Sequence, residues 1–318
     1  MSELKAGVIG AGVFGGHHAR KYQSDARVKL IGVFDVDATR AETLAADLGV
    51  KAFASMDDLL SQVELVTVAS PPFTHAGAAR AALEAGAHVL VEKPLAVDVA
   101  DGETLVKLAA QNNRVLACGH QERLVFEAMG LFETPEQPTK IECVRAGPWT
   151  GRSADVSVTL DLMVHDLDLA IRLMGGKPKR VSARGRAVET NCADDIKALL
   201  TFPEGARAEL VATRVAPERK RTMRLVYPSG EVKIDFIART FENSTSFALN
   251  EAFAETPGGK DPLGANVIRF IDAITGAAKR PFVNGEEALA VLELARAVDR
   301  AADFPSLATA ESDNASVH

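Results

Sequence analysis

The chain has 318 residues, 47% of them hydrophobic and 25% charged, and 36 basic against 43 acidic side chains leave a formal charge of −7. That is apolar material for about two globular domains, and the acidic balance argues against a nucleic-acid or anionic-membrane surface. Three cysteines without metal-type spacing, no apolar run near the ~18 residues of a spanning helix and no signal-peptide pattern after Met1 argue against a disulfide framework, structural zinc, membrane insertion and secretion, and make a reducing cytoplasm the expected location.

In chain order, short apolar runs at 6–9, 28–34, 65–69, 89–91 and 115–118 alternate with helical patterns at 39–48, 76–85 and 99–110. Strands buried on both faces read as continuous Val/Ile/Leu runs, and parallel strands need helical crossovers. The first region, 1–120, is therefore expected to be α/β, a doubly wound, mostly parallel sheet. From about Gln121 the texture changes. Strand-like segments at 140–145, 181–187, 195–202, 206–215, 222–227 and 231–237 are punctuated by Pro203-Glu204-Gly205 and Pro228-Ser229-Gly230, which favours hairpins. A helix is predicted from about Leu160 to Met174, stopped by Gly175-Gly176, and further helical patterns occupy 266–274 and 286–302. Residues 121–318 thus read as an α+β domain on a mostly antiparallel open sheet, with a loose polar tail from Thr309.

Three motifs carry chemistry. The first is Gly10-Ala11-Gly12-Val13-Phe14-Gly15, a GxGxxG between the first strand and the first helix. There the first glycine permits a tight turn, the second lets backbone approach a pyrophosphate and the third lets helix pack on strand. The helix N-terminus adds free N–H groups and a positive dipole end. Asp35, twenty residues beyond Gly15, would accept hydrogen bonds from a ribose and repel a 2′-phosphate, which favours NAD over NADP; Arg40 nearby weakens that preference. A glycine turn that merely packs a helix would look the same in isolation.

The second motif is Val89-Leu90-Val91-Glu92-Lys93-Pro94, which places two charges at the carboxyl end of a core strand, where open α/β sheets bind ligands. An ammonium beside a nicotinamide would stabilise the alkoxide that develops as hydride leaves. Ser70-Pro71-Pro72-Phe73-Thr74-His75 also follows a strand, so His75 is a candidate for the same cleft. In the third motif, Asp161, His165, Asp168 and Arg172 fall on one helical stripe while Asp166 points elsewhere. A histidine flanked by carboxylates one turn away suits a general base. A solvated helix face is the competing interpretation. Asp-x3-His is also compatible with two metal ligands, but no third ligand has matching spacing and no metal is expected.

Taken together and in this order, the GxGxxG followed by His18, the Pro-Pro-x-x-His of Pro71 to His75, the Ala85-to-Pro94 run ending Glu-Lys-Pro and the D-x3-H helix ending at Gly175 resemble the Gfo/Idh/MocA family of nicotinamide-dependent oxidoreductases. The resemblance runs over nearly the whole chain and implies a Rossmann domain followed by an α/β domain whose open sheet mediates homodimers or homotetramers. It implies that Lys93, Asp161 and His165 line the nicotinamide, with His165 exchanging the proton. Gly10, Gly12, Val13, Phe14, Gly15, Asp35, Ser70, Pro71, His75, Glu92 and Lys93 are the expected cofactor residues. Many members carry glycine between the Asp and the His, where this chain reads Leu162-Met163-Val164. With Arg145-Ala146-Gly147-Pro148 and Gly151-Arg152-Ser153 upstream, the chain looks like the branch that oxidises the 3-hydroxyl of UDP-N-acetylglucosamine. Arg145 and Arg152, with Arg123, are then the expected contacts of an anionic substrate group, and His165 of the reacting hydroxyl. Strand-end surface charge would explain the arginines equally. The expected activity is NAD(P)-dependent dehydrogenation of a sugar, polyol or nucleotide sugar; the alternative is a ligand-sensing regulator on the same fold without turnover.

Overall fold

A computed structural model describes residues 3–304 of the chain. The predicted loose tail from Thr309 lies outside them. The described chain forms two compact units. One runs through Gly130 and takes in Asn250–Leu292; the other is Leu131–Leu249 and continues from Glu293.

The first unit carries strands β1 (Leu4–Ile9), β2 (Val28–Phe34), β3 (Lys51–Ala52), β4 (Leu65–Val68), β5 (His88–Val91) and β6 (Leu116–Cys118). They form one parallel sheet in the order β3-β2-β1-β4-β5-β6. Its helices are α1 (Val13–Ser24), α2 (Ala38–Leu48), α3 (Met56–Leu60), α4 (His75–Glu84), α5 (Val99–Gln111) and α6 (Glu122–Met129). Both faces of the sheet are buried. Val66, Val68, Val89 and Val91 pack with Leu83 and Leu105 on one side. Leu65, Leu90, Val8 and Val33 pack with Tyr22 and Leu44 on the other. This double burial is why the strands read as unbroken apolar runs rather than as alternation. The strand order reverses between β1 and β4, and the crevice at such a switch point is where doubly wound sheets bind ligands.

The second unit carries β7 (Lys140–Ala146), a π-helical turn at Thr159–Met163, α7 (Val164–Leu173), β8 (Arg180–Arg186), β9 (Asp195–Thr201), β10 (Arg207–Thr213), β11 (Lys220–Tyr227), β12 (Gly230–Asp235) and β13 (Thr240–Asn243). These strands form one sheet in the order β13-β12-β11-β7-β10-β9-β8, antiparallel throughout except for the β7–β10 pair. Burial alternates strictly along β7, β9 and β10. Ile141, Cys143, Ala208, Leu210, Ile196 and Leu200 face the core, and a polar, charged face is left on the other side. Helices α8 (Pro257–Lys260) and α9 (Pro262–Thr275) return to the first unit, and α10 (Gly285–Ala301) runs through the division at Leu292.

Candidate active site

The glycine turn sits at the switch point because the strand order delivers it there. Gly10 has φ +99°, and its amide donates to the Phe34 carbonyl at 2.8 Å. A Cβ on Gly10 would lie 2.6 Å from the Ser70 nitrogen, so the turn rests directly on the exit of β4. A Cβ on Gly15 would lie 1.7 Å from the Gly10 carbonyl oxygen; only a glycine lets α1 pack this close. Gly12 is different: a Cβ there would meet nothing within 4 Å. α1 begins on Gly12 without a side-chain cap, so its first amides keep no side-chain partner, and Val13 and Phe14 are exposed beside them. Asp35 accepts from the Ala11 amide at 2.6 Å and from the Asp37 amide at 2.9 Å, which ties the end of β2 to the turn. Asp37 in turn caps α2 and pairs with Arg40 at 3.2 Å.

Past β4, Ser70 and Thr74 share a hydroxyl–hydroxyl bond of 2.7 Å. His75 is buried, with its ring nitrogens 2.7 Å from the Pro94 carbonyl and 2.8 Å from the Ser70 carbonyl. Burial holds its pKa below the ordinary value, against the pull of those carbonyls. His75 therefore braces the β4 exit against the Glu-Lys-Pro turn. Glu92 is buried too. Burial alone would raise its pKa, but the hydrogen bond and charge of His18 and the charge of Lys93 outweigh it, so the carboxyl is held below its usual range. His18 lies 2.7 Å from Glu92 Oε1, and Gln121 Nε2 donates to the same oxygen at 2.9 Å. A Cβ on Gly119 would fall 2.9 Å from Glu92 Oε2, so the chain packs close against this carboxylate, and Lys93, half-buried, follows it directly. Arg123, buried at the start of α6, is paired with Glu287 at 3.3 Å.

In the second unit the predicted Asp–His helix exists, but its first turn is wider than expected. The Val164 amide donates to the Thr159 carbonyl five residues back, and the helix becomes α only from Val164. π turns of this kind concentrate at functional sites. Asp161 and His165 are both half-buried, which puts neither in the core nor in open solvent. Asp168 is buried, and only Arg172 of the stripe is exposed, with its guanidinium over Phe132 at 5.2 Å. The stripe is not a solvated face. Asp166 does point elsewhere, into the core toward β7.

The three arginines part company. Arg152 is exposed, near the tip of the segment between β7 and the π turn. Arg145 is 1% exposed on the covered face of β7; its Nε donates to Asp166 Oδ1 at 2.9 Å and its guanidinium lies 5.2 Å from the Phe236 ring centre. Arg123 is held in the other unit, as above.

Sequence reasoning did not find the groups that hold the lead-in to this helix. Asp194 is buried and takes the backbone amides of Val188, Glu189 and Thr190 at 2.7–2.9 Å, plus Arg214 Nε at 2.6 Å. Burial would raise its pKa, yet those donors hold it well below the carboxylate range. Arg214 also donates to the Ser153 carbonyl at 2.6 Å and stacks on Trp149 at 5.0 Å. Ser157 donates to Asp299 at 2.9 Å, and burial raises the Asp299 carboxyl despite its Thr159, Ser157 and Arg296 partners. The Arg214–Asp194, Arg214–Ser153 and Ser157–Asp299 pairings join residues 20 or more apart in sequence, and no spacing rule announces them. Among the described residues no group of three or more His, Cys, Asp or Glu could hold a metal ion.

Comparison with known proteins bears directly on this geometry. The family model described as "Oxidoreductase family, NAD-binding Rossmann fold" matches residues 4–120, and the "GFO/IDH/MocA C-terminal domain" matches 125–233. The chain belongs to the Gfo/Idh/MocA oxidoreductase family. It is 36% identical over 309 residues to UDP-N-acetylglucosamine 3-dehydrogenase of Acidithiobacillus ferrooxidans, covering 93% of this chain and 96% of that one. A solved structure of UDP-N-acetylglucosamine 3-dehydrogenase from that organism superposes with a TM-score of 0.85 at 34% identity, covering 95% and 98% of the two chains. A dehydrogenase of Bordetella pertussis, solved with NADH and UDP-GlcNAcA, shares the fold at 20% identity, with a TM-score of 0.81 and coverage of 95% and 96%. The glycine turn fits the cofactor of this NAD-binding family: space is left at Gly12, the first helical amides take no side-chain cap, and a carboxylate stands at the end of β2.

Proposed function

We propose that this protein is an NAD-dependent dehydrogenase that oxidises the 3-hydroxyl of UDP-N-acetylglucosamine. The observation that carries the substrate is the end-to-end likeness to an enzyme of that name, which runs through both units. The amides of Gly12, Val13 and Phe14, beside Gly10 and Gly15, would hold the pyrophosphate of NAD, and Asp35 would take the ribose hydroxyls. Ser70, Pro71, His75 and Glu92 would shape the nicotinamide half. NAD bound there would supply the hydride acceptor. Every other task falls to side chains: His165 accepts the hydroxyl proton as the C–H leaves as hydride and the alcohol becomes a ketone, Lys93 stabilises the developing alkoxide, and Asp161 orients His165. Arg152, exposed, meets the diphosphate, while Arg145 acts through the buried Asp166 it holds and Arg123 stays paired with the half-buried Glu287.

The charged open face of the second unit's sheet, with Glu142 between Lys140 and Arg224 and Val144 and Val211 beside them, offers a surface for a second copy. In this reading the enzyme is a cytoplasmic homodimer or homotetramer. No helix among the described residues is long and apolar enough to cross a membrane.

The test is a screen of UDP-N-acetylglucosamine, other UDP-sugars and free sugars with NAD and with NADP, followed by nicotinamide absorbance. Turnover is expected with UDP-N-acetylglucosamine and NAD, and Arg152→Ala is expected to raise KM more than it lowers kcat. Turnover confined to neutral free polyols, or to NADP, would overturn the assignment.

A further inference from the structure

The Arg145–Asp166 pair is unusual for its cost. Both side chains are 1% exposed, and ions that deep gain little net stability, because desolvation consumes most of their attraction. Apolar residues of similar volume would serve packing as well or better. What the pair supplies is direction. Arg145 stands on β7 between β10 and β11, in register with Ala212 and Arg221, at the middle of the second unit's sheet. Its guanidinium is steadied over Phe236, so Nε offers one fixed donor to the helix above. Asp166 is the third residue of α7, directly after His165 and close to the point where the π turn becomes α. At such a junction the backbone has two hydrogen-bonding registers close at hand, i to i+5 and i to i+4, which differ in the direction each later side chain takes. Neighbouring residues on an α-helix diverge by about 100°. Anchoring Asp166 into the sheet therefore turns His165 out of the core, where it is half-buried.

We propose that Arg145 and Asp166 form a positioning pair that sets the rotational phase of the helix at the π-to-α junction and so aims His165. The inference rests on the reading of His165 as the base. It assigns Arg145 a task distinct from touching the substrate.

The test removes the pair as a unit, with Arg145→Met and Asp166→Leu together. The double variant is expected to melt cooperatively, to bind NAD as wild type does and to keep KM for UDP-N-acetylglucosamine within about twofold, while kcat falls about 10- to 100-fold, the scale of a small misplacement of a reacting group. Arg145→Lys keeps the charge but not the planar donor. It is expected to lose less kcat, again at unchanged KM, and it carries the test alone if the double variant fails to fold. Wild-type kcat, or a loss confined to KM, overturns the proposal; the second result would put Arg145 on the substrate. A His165→Ala background separates the two readings. If His165 is not the base, His165→Ala alone keeps its turnover. If it is, removing the pair in that background costs nothing further, and a full additional loss would show that the pair acts on some other group.

Discussion

At the glycine turn the protein makes a site by leaving side chains out, whereas around the Asp161–His165 helix it makes one by burying charges. Gly15 is a glycine because α1 touches the Gly10 carbonyl, and Gly12 is a glycine although the protein itself puts nothing near it. The first is explained by packing; the second, on the proposed function, leaves room for the pyrophosphate. In the other unit, Asp166, Asp194 and Asp299 are buried acids with named partners, and each ties a strand, a loop or the last helix to the segment that presents Asp161 and His165. A phosphate cradle needs space and free amides. A proton-transfer group needs one direction, and directional polar contacts supply it.

The sharpest way to break this contrast is at the two glycines. Gly15→Ala would force a Cβ into backbone and is expected to cost more than about 3 kcal/mol or to prevent folding, above the usual range for overpacking. Gly12→Ala is expected to leave the melting temperature unchanged and to weaken NAD binding at least about tenfold, since a methyl would occupy the space a pyrophosphate needs. Thermal melts and a fluorescence titration of NAD read the two effects separately. If both variants fold and bind alike, the turn is only a packing device.

Next in size is Asp194. Its folded pKa lies below the unfolded value of about 3.9, so the stabilisation it gives is present above that value and is lost as pH falls through the folded one. Asp194→Asn leaves Arg214 buried without its counter-charge, and at pH 7 is expected to cost about 3–5 kcal/mol in urea unfolding, with the deficit shrinking in acid. Asp299 has the opposite sign. Its folded pKa is raised, so the stability it contributes is present in acid and lost as pH rises through the folded value. Asp299→Asn is expected to have the smallest effect, a slightly higher melting temperature at pH 7 that disappears at low pH. Parallel pH profiles for the two variants would erase the distinction between an acid held ionised and an acid pressed toward neutrality.

The contrast also explains what the sequence made legible. The parallel sheet was readable because double burial writes itself as apolar runs, and the glycine turn because turn chemistry is local. β3, with two residues, and β13, with four, are too short to show a period, and α6 starts within a stretch where the pattern changes. The polar stripe of the Asp–His helix was readable as a stripe, but the π turn was not, because residue spacing does not reveal which carbonyl an amide will choose. Arg145 reads in sequence as a strand-end charge next to Gly147-Pro148; only the fold turns it inward to Asp166. Residues 250–292 rejoin the first unit for the same reason: chain order does not record which core a helix completes.

The most direct test of the proposed chemistry is a rapid-mixing measurement of NADH formation from NAD and UDP-N-acetylglucosamine by wild type and His165→Ala, with NAD affinity measured alongside. A positioned base contributes on the order of 10²–10⁴ in rate. The variant is expected to form NADH more slowly by that factor, about 3–5 kcal/mol of barrier, while its NAD affinity stays within about twofold of wild type. A near-normal rate in His165→Ala would contradict the assignment of the base and leave the half-buried Asp161–His165 surface without its proposed chemical role.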